Sequence, residues 1–186
     1  RIHRKIRFSM QKRRIPALRS QRSFIVYFAR AGILAAVYVL LSLIFYPISF
    51  GPVQLRISEV MCILPVVFPE AIWGLFVGCI ITNLFSSANV LADVIFGSLA
   101  TLLAAICTRH FRYNRWLCPA FPALFNAVFV GFVLTISETS IHSAAFVTVY
   151  LLNALSVGIS EAIILYAIAL PALSLCRKKY PRIFTE

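Results

Sequence analysis

The chain has 186 residues, 61% hydrophobic and 13% charged, with a mean hydropathy of +0.89 and a formal net charge of +12. A soluble domain needs a far more polar surface than that, and a closed β-barrel would alternate apolar with polar residues, which this chain does not do. Residues 31–55, 71–92, 116–137 and 143–160 contain no Asp, Glu, Lys or Arg. Each run approaches or exceeds the roughly 18–20 residues that cross a bilayer as a helix, so the sequence reads as an all-α, polytopic membrane protein.

In chain order the first feature is a basic head. Ten of the eighteen Lys and Arg residues fall in residues 1–30, beginning RIHRKIRFSMQKRRIPALRSQR. Basic charge beside a first span is a topology signal and a contact for anionic lipid headgroups, and its distribution argues against nucleic acid as a partner. Met10 can serve as a start, so residues 1–9 are read as an upstream extension and 1–22 as a basic cytoplasmic tail. Residues 23–186 are read as one transmembrane domain.

Six spans fit the remaining pattern, at about 24–47, 56–68, 70–87, 91–109, 116–137 and 144–172. The first carries small residues four apart, Ala31 with Ala35 and Gly32 with Ala36, a spacing that lets another helix approach closely. Pro69 and Glu70 open the third span directly after the short second one, which makes those two an antiparallel pair. Pro171 marks a kink or exit in the last, which is longer than one crossing needs. With six spans, seventeen of the eighteen basic residues fall on one side, and the positive-inside rule puts both termini in the cytoplasm. Arg56 is the exception.

Charged groups at membrane depth are costly, and they line sites or pair with one another. Glu59 begins the second span, Asp93 the fourth, Glu138 ends the fifth and Glu161 lies midway along the sixth. Arg56, Glu59 and Asp93 admit two readings each. Ser58 and Glu59 suit a helix N-terminus with Arg56 as an i,i+3 partner, and Asp93 suits another N-terminus; equally, all three suit ligand contact. Glu138 reads as interfacial, and His110 and His142 as surface residues at span ends. Glu161 has no basic partner on its own span and favours function. The amides Asn83, Asn126 and Asn153 can join a site or cross-link helices. The five cysteines show neither CxxC nor metal-ligand spacing and read as small buried hydrophobes, with no metal or other cofactor expected. No HExxH, nucleophile elbow or phosphate-cradling loop is present, so no enzyme activity is expected. A chain this small has no room for its own ATPase.

Three stretches carry a family resemblance: ISFGPVQLRISEVMCILPVVFPEAIWGLFVGCIITNL (48–84), DVIFGSLATLLAA (93–105) and YLLNALSVGISEAIILYAIALP (150–171). Together they resemble the QueT family, substrate-binding S components of energy-coupling factor (ECF) transporters associated with uptake of queuosine precursors. The resemblance covers nearly all of residues 24–176. It implies a six-helix S-component bundle in the cytoplasmic membrane, docked on a transmembrane coupling subunit that two ATPase subunits drive. The implied contact with that subunit is the small face of the first span: Ala31, Gly32, Ala35 and Ala36. The implied ligand is a 7-deazaguanine such as the 7-cyano or 7-aminomethyl compound, or queuine. Its N1–H and 2-amino donors suit the carboxylates of Glu59, Asp93 and Glu161. Asn83, Asn126 and Asn153 would read ring nitrogens or the O6 carbonyl, Arg56 would orient Glu59 or meet that carbonyl, and Trp73 or Phe50 would stack on the base. Two alternatives stay open: an S component for another vitamin-like molecule, and a self-sufficient transporter coupled to protons through Asp93 or Glu161.

Overall fold

The computed structural model describes residues 2–49, 56–86 and 89–179, with side chains from Ser23 onward and excepting Arg177. Phe50, the GPVQL stretch (51–55) and Arg182 lie outside the described residues, as do the side chains of the basic head.

Among the described residues every regular element is helical. Helix α1 runs Ile2–Ile44, so the basic head continues into the first apolar segment without a break. At roughly 1.5 Å per residue it is about 65 Å long, more than twice a hydrocarbon core. A 3₁₀ helix follows at Ile57–Val66, then α2 at Ala71–Asn83, α3 at Val90–His110, α4 at Ala120–Glu138 and α5 over 146–179. Ser23–Ile44, Val90–His110, Ala120–Glu138 and Phe146–Cys176 are long and apolar enough to cross a membrane. The protein is therefore an α-helical, multi-pass membrane protein.

The other two expected spans are helical but short. The 3₁₀ helix at roughly 2 Å per residue and α2 at roughly 1.5 Å each reach about 20 Å, against about 30 Å of hydrocarbon. Glu70 does open α2, as its N-cap residue. Pro171 is not an exit, because α5 continues to Lys179. A π turn at Leu165–Ala169 lies where the Pro171 ring would otherwise meet the carbonyl of residue 167, and the wider turn accommodates it.

Packing follows residue size. Helix α2 lies on α1, α3 on α2, α4 on α3 and α5 on α4, with the 3₁₀ helix laid against α1, α2, α3 and α5. Its Met61 and Cys62 join one apolar core with Tyr38, Ala71, Leu75 and Cys79, while its Ile63 and Val66 join another with Cys118, Leu165, Ala169 and Leu173. Helices α1 and α2 approach most closely where glycine faces alanine. A Cβ on Gly74 would stand 2.6 Å from the Ala31 carbonyl oxygen, and one on Gly78 would stand 3.1 Å from that of Ala35. The large side chains Ile33, Leu40, Leu91, Leu124, Leu151 and Ile163 point outward instead, a surface suited to lipid.

Substituting Gly74→Ala is expected to cost about 1–3 kcal/mol, since backbone and not a flexible side chain blocks the new methyl. Gly32→Ala, whose methyl meets nothing within 4 Å, is expected to stay within about 0.5 kcal/mol of the parent. Apparent Tm of the two variants in detergent checks this; equal Tm values would contradict the close approach.

Candidate functional site

The polar residues that the apolar sequence could not explain lie inside the bundle. Arg56, Glu59, Asn83, Asp93, Asn126 and Glu161 are each at most 3% exposed. They come from the 3₁₀ helix, α2, α3, α4 and α5, so most of the bundle contributes.

In a 3₁₀ helix residues three apart eclipse one another, which puts Arg56, Glu59 and Cys62 on one ridge. Glu59 is held at both oxygens. The Tyr38 hydroxyl donates to Oε1 at 2.6 Å and the Cys62 thiol to Oε2 at 2.8 Å. One turn further along α1, the hydroxyls of Ser42 and Ser58 bond at 2.7 Å. Ser58 is thus tied to α1 and caps no helix, because the 3₁₀ N-cap is Arg56 with no side-chain cap bond.

Asp93 begins a π turn, Asp93–Gly97, at the head of α3. Ser86 donates to its Oδ2, and Asn83 Nδ2 donates to its backbone carbonyl at 2.8 Å. Gly97 makes that second bond possible. A Cβ there would stand 2.7 Å from Asn83 Nδ2 and 3.8 Å from the Arg56 guanidinium. The charge of Arg56 acts on both Asp93 and Glu59. Glu161, interior to α5, faces Glu59 and Arg56 and lies within hydrogen-bonding reach of Asn126 on α4.

Several acceptors in this cluster have no protein donor: Asp93 Oδ1, Glu161 Oε2 and Asn83 Oδ1, with the Ser98 hydroxyl also unpartnered. Buried polar groups are ordinarily satisfied, and an unpaired one is costly in a bundle surrounded by lipid. Among the described residues no cluster of His, Cys, Asp and Glu could hold a metal ion. What the cluster offers chemically is unmet hydrogen-bond acceptors together with one buried guanidinium.

Other expected residues lie elsewhere. Asn153 donates to Glu138 Oε2 at 3.0 Å and to Thr135 Oγ1 at 3.3 Å, cross-linking α4 and α5. It stands about 12 Å along the helix from Glu161. Trp73 is 51% exposed and lines an apolar groove of about 290 Å³ with Phe28, Ala31, Gly32, Ala35, Gly74 and Val77, not the polar cluster. Ala31 and Ala35 are buried under α2, whereas Gly32 and Ala36 are exposed. His110 is exposed at the end of α3, and His142 is exposed in the turn between α4 and α5.

Tyr38, Ser42, Ser86, Ser98 and Thr101 belong to the cluster or its support but were not singled out from the sequence. Tyr38 had a signal, since it falls three and seven residues after Ala35 and Ala31 on one helix face. Two cysteines also do more than fill space. Cys62 donates to Glu59, and Cys79 accepts from Asn83 and Thr101, each at 3.3 Å.

Residues 28–178 match the family described as "QueT transporter". A 74-residue stretch is 38% identical to a protein of Lactococcus lactis subsp. cremoris (strain MG1363) named "Queuosine precursor transporter QueT". That match spans 39% of this chain and 43% of the relative's length. No solved structure matches.

Removing one Glu59 donor, by Tyr38→Phe, is expected to destabilise the protein by about 1–3 kcal/mol, the cost of a buried acceptor left unmet. Gly97→Ala is expected to lower stability by a similar, roughly 1–3 kcal/mol amount by pushing Asn83 off the Asp93 carbonyl. Unfolding of both variants in detergent checks this, and parent-like stability in either would contradict the bond it targets.

Proposed function

The chain belongs to the QueT transporter family, and on that premise we propose that it carries a queuosine precursor of the 7-deazaguanine type, bound in the buried cluster around Arg56. Membership makes it a membrane transporter and not an enzyme. The observation that carries the ligand reading is the set of buried acceptors without donors: Asp93 Oδ1, Asn83 Oδ1 and Glu161 Oε2. A deazaguanine edge offers N1–H and the 2-amino group side by side. Asp93 and Asn83, bridged by their own hydrogen bond, suit that edge, and Arg56 suits the O6 carbonyl. Glu59 has both oxygens engaged by Tyr38 and Cys62, so its role is to fix the counter-charge of Arg56, not to read the base. Asn126 steadies Glu161. Asn153, tied to Glu138, serves helix packing in this reading.

Energy comes from outside the chain. We propose the ECF arrangement, in which this S component docks on a transmembrane coupling subunit driven by two ATPase subunits. The groove lined by Ala31, Gly32 and Ala35, with the exposed Ala36 on the same helix, supports that docking face. In the six-pass arrangement the 3₁₀ helix and α2 cross as short segments. The basic residues then collect on one side, which supports cytoplasmic termini in the cell membrane.

The test is equilibrium binding of 7-aminomethyl-7-deazaguanine to the purified, detergent-solubilised chain, with guanine as competitor. Binding that guanine does not displace is expected, weakened about tenfold or more by Asp93→Asn and by Glu161→Gln, as fits loss of a charge-assisted bond. Unchanged affinity in both variants would overturn the site. In membrane vesicles, uptake is expected to require the coupling module and ATP. Uptake that persists without them and collapses with the proton gradient would replace the ECF reading with proton coupling.

A further inference from the structure

We infer that Arg109, at the opposite end of α3 from the buried cluster, is a positioning residue for that cluster. By gripping the last carbonyls of the 3₁₀ helix it keeps residues 57–66 drawn out, and so keeps Arg56 and Glu59 where they act. The inference rests on the cluster as the binding site and adds a residue that touches no ligand.

The 3₁₀ segment is poorly equipped to hold itself. It runs for ten residues, Ile57–Val66, where such helices rarely pass three or four. Pro65 lies inside it; its ring brings no N–H to the ladder, would meet the carbonyl four residues back in an α-helix, and biases Leu64 away from the α region. No side chain caps the Arg56 end. At the other end the Leu64 carbonyl accepts from Val67 N–H at 2.9 Å and Phe68 N–H at 2.8 Å, so the ladder changes there from three-residue to four-residue spacing. The next two carbonyls, of Pro65 and Val66, accept from Arg109 Nη1 at 3.3 and 3.0 Å. Glu70, the acid just beyond, bonds Arg30 at 3.2 Å, which leaves the Arg109 bonds to the carbonyls.

Helix α3 therefore meets the 3₁₀ helix at two separated points. Near its head, a Cβ on Gly97 would stand 3.8 Å from the Arg56 guanidinium. Near its end stands Arg109. Twelve α-helical residues separate Gly97 from Arg109, about 18 Å. Ten residues wound as 3₁₀ span about 20 Å and match that separation, whereas the same ten wound as α would span about 15 Å. Rewinding would draw Arg56 away from Gly97, and Glu59 away from Tyr38 and Cys62, which now hold it at 2.6 and 2.8 Å. Arg109 opposes the shortening at the end where the ladder itself gives way. Its charge-assisted bonds are of the strong kind.

The experiment compares the intact, detergent-solubilised parent with Arg109→Gln and with Arg109→Met, which keeps the stem and is read alone if the first does not fold. Arg115→Gln is the control, removing an exposed basic charge from the same end of the bundle. One readout is the infrared S–H stretching band of Cys62, identified by its loss in Cys62→Ala; the bond to Glu59 lowers its frequency. The other is the Kd for 7-aminomethyl-7-deazaguanine. Both Arg109 variants are expected to move the band up toward that of an unbonded thiol and to weaken binding about tenfold or more. Arg115→Gln is expected to leave both at parent values. An Arg109 that served stability alone would lower Tm and move neither. A parent-like band or parent-like affinity in a folded Arg109 variant would overturn the inference, as would an equal effect of Arg115→Gln. If folded parent protein binds no deazaguanine, the ligand reading falls, and the band alone decides whether Arg109 positions the ridge.

Discussion

A carboxylate inside a lipid-surrounded bundle must find its donors and its counter-charge within the protein, because no water at that depth will supply them. Glu59 meets this demand through Tyr38 of α1, Cys62 of its own ridge and the charge of Arg56. The rest of the interior is arranged around that solution. The ridge exists because residues 57–66 wind as a 3₁₀ helix, which stacks positions three apart. An α-helix would advance the same residues around its axis and spread Arg56, Glu59 and Cys62 over a broader face. Long 3₁₀ runs are uncommon because their hydrogen bonds are poorer. This one is packed by neighbours on several sides, with two apolar cores divided between its faces, and Arg109 satisfies the carbonyls at its end.

Close approach and local unwinding serve the same end. Small residues let α2 lie close on α1 beside Tyr38, whose hydroxyl stands 2.6 Å from Glu59. The π turn at Asp93–Gly97 widens α3 beside Asn83, and the missing side chain of Gly97 leaves room for the amide that grips the Asp93 carbonyl. The second π turn, at Leu165–Ala169, lies between Glu161 and Pro171 and lets α5 continue past the proline. Departures from regular α-helix thus sit beside the acids or beside a proline. Elsewhere, backbone donors and acceptors in lipid are best left in the regular ladder. An interior polar cluster with apolar side chains outside inverts the layout of a soluble domain.

Much of this was legible beforehand. Uncharged runs located α2 and α4 and the middles of the apolar stretches of α1 and α5, since burying charge in lipid costs more than a sequence will carry without cause. The same cost made the rare acids and amides conspicuous, and Arg56, Glu59, Asn83, Asp93, Asn126 and Glu161 do share one interior. Asn153 follows the same apolar pattern as Asn126, yet it answers Glu138; sequence spacing along α5 does not reveal which neighbour lies opposite. Trp73, which the resemblance offered for stacking on the base, lines the outer groove instead. Cys62 and Cys79 look like filler in any hydropathy pattern, and their polar use depends on which groups lie beside them.

What the sequence determined by itself was composition-driven: a helical membrane protein, the positions of its apolar segments and the short list of polar residues needing an explanation. Those follow from one-body costs, the transfer of each side chain into lipid, which can be read residue by residue. Tertiary structure alone decided the 3₁₀ form of residues 57–66, the closeness of Tyr38 to Glu59, and the burial of Arg56, Glu59, Asp93 and Glu161 in one interior. Those are many-body outcomes. They depend on which faces meet and at what distance, and electrostatics and hydrogen bonding change steeply over the few ångströms that packing controls.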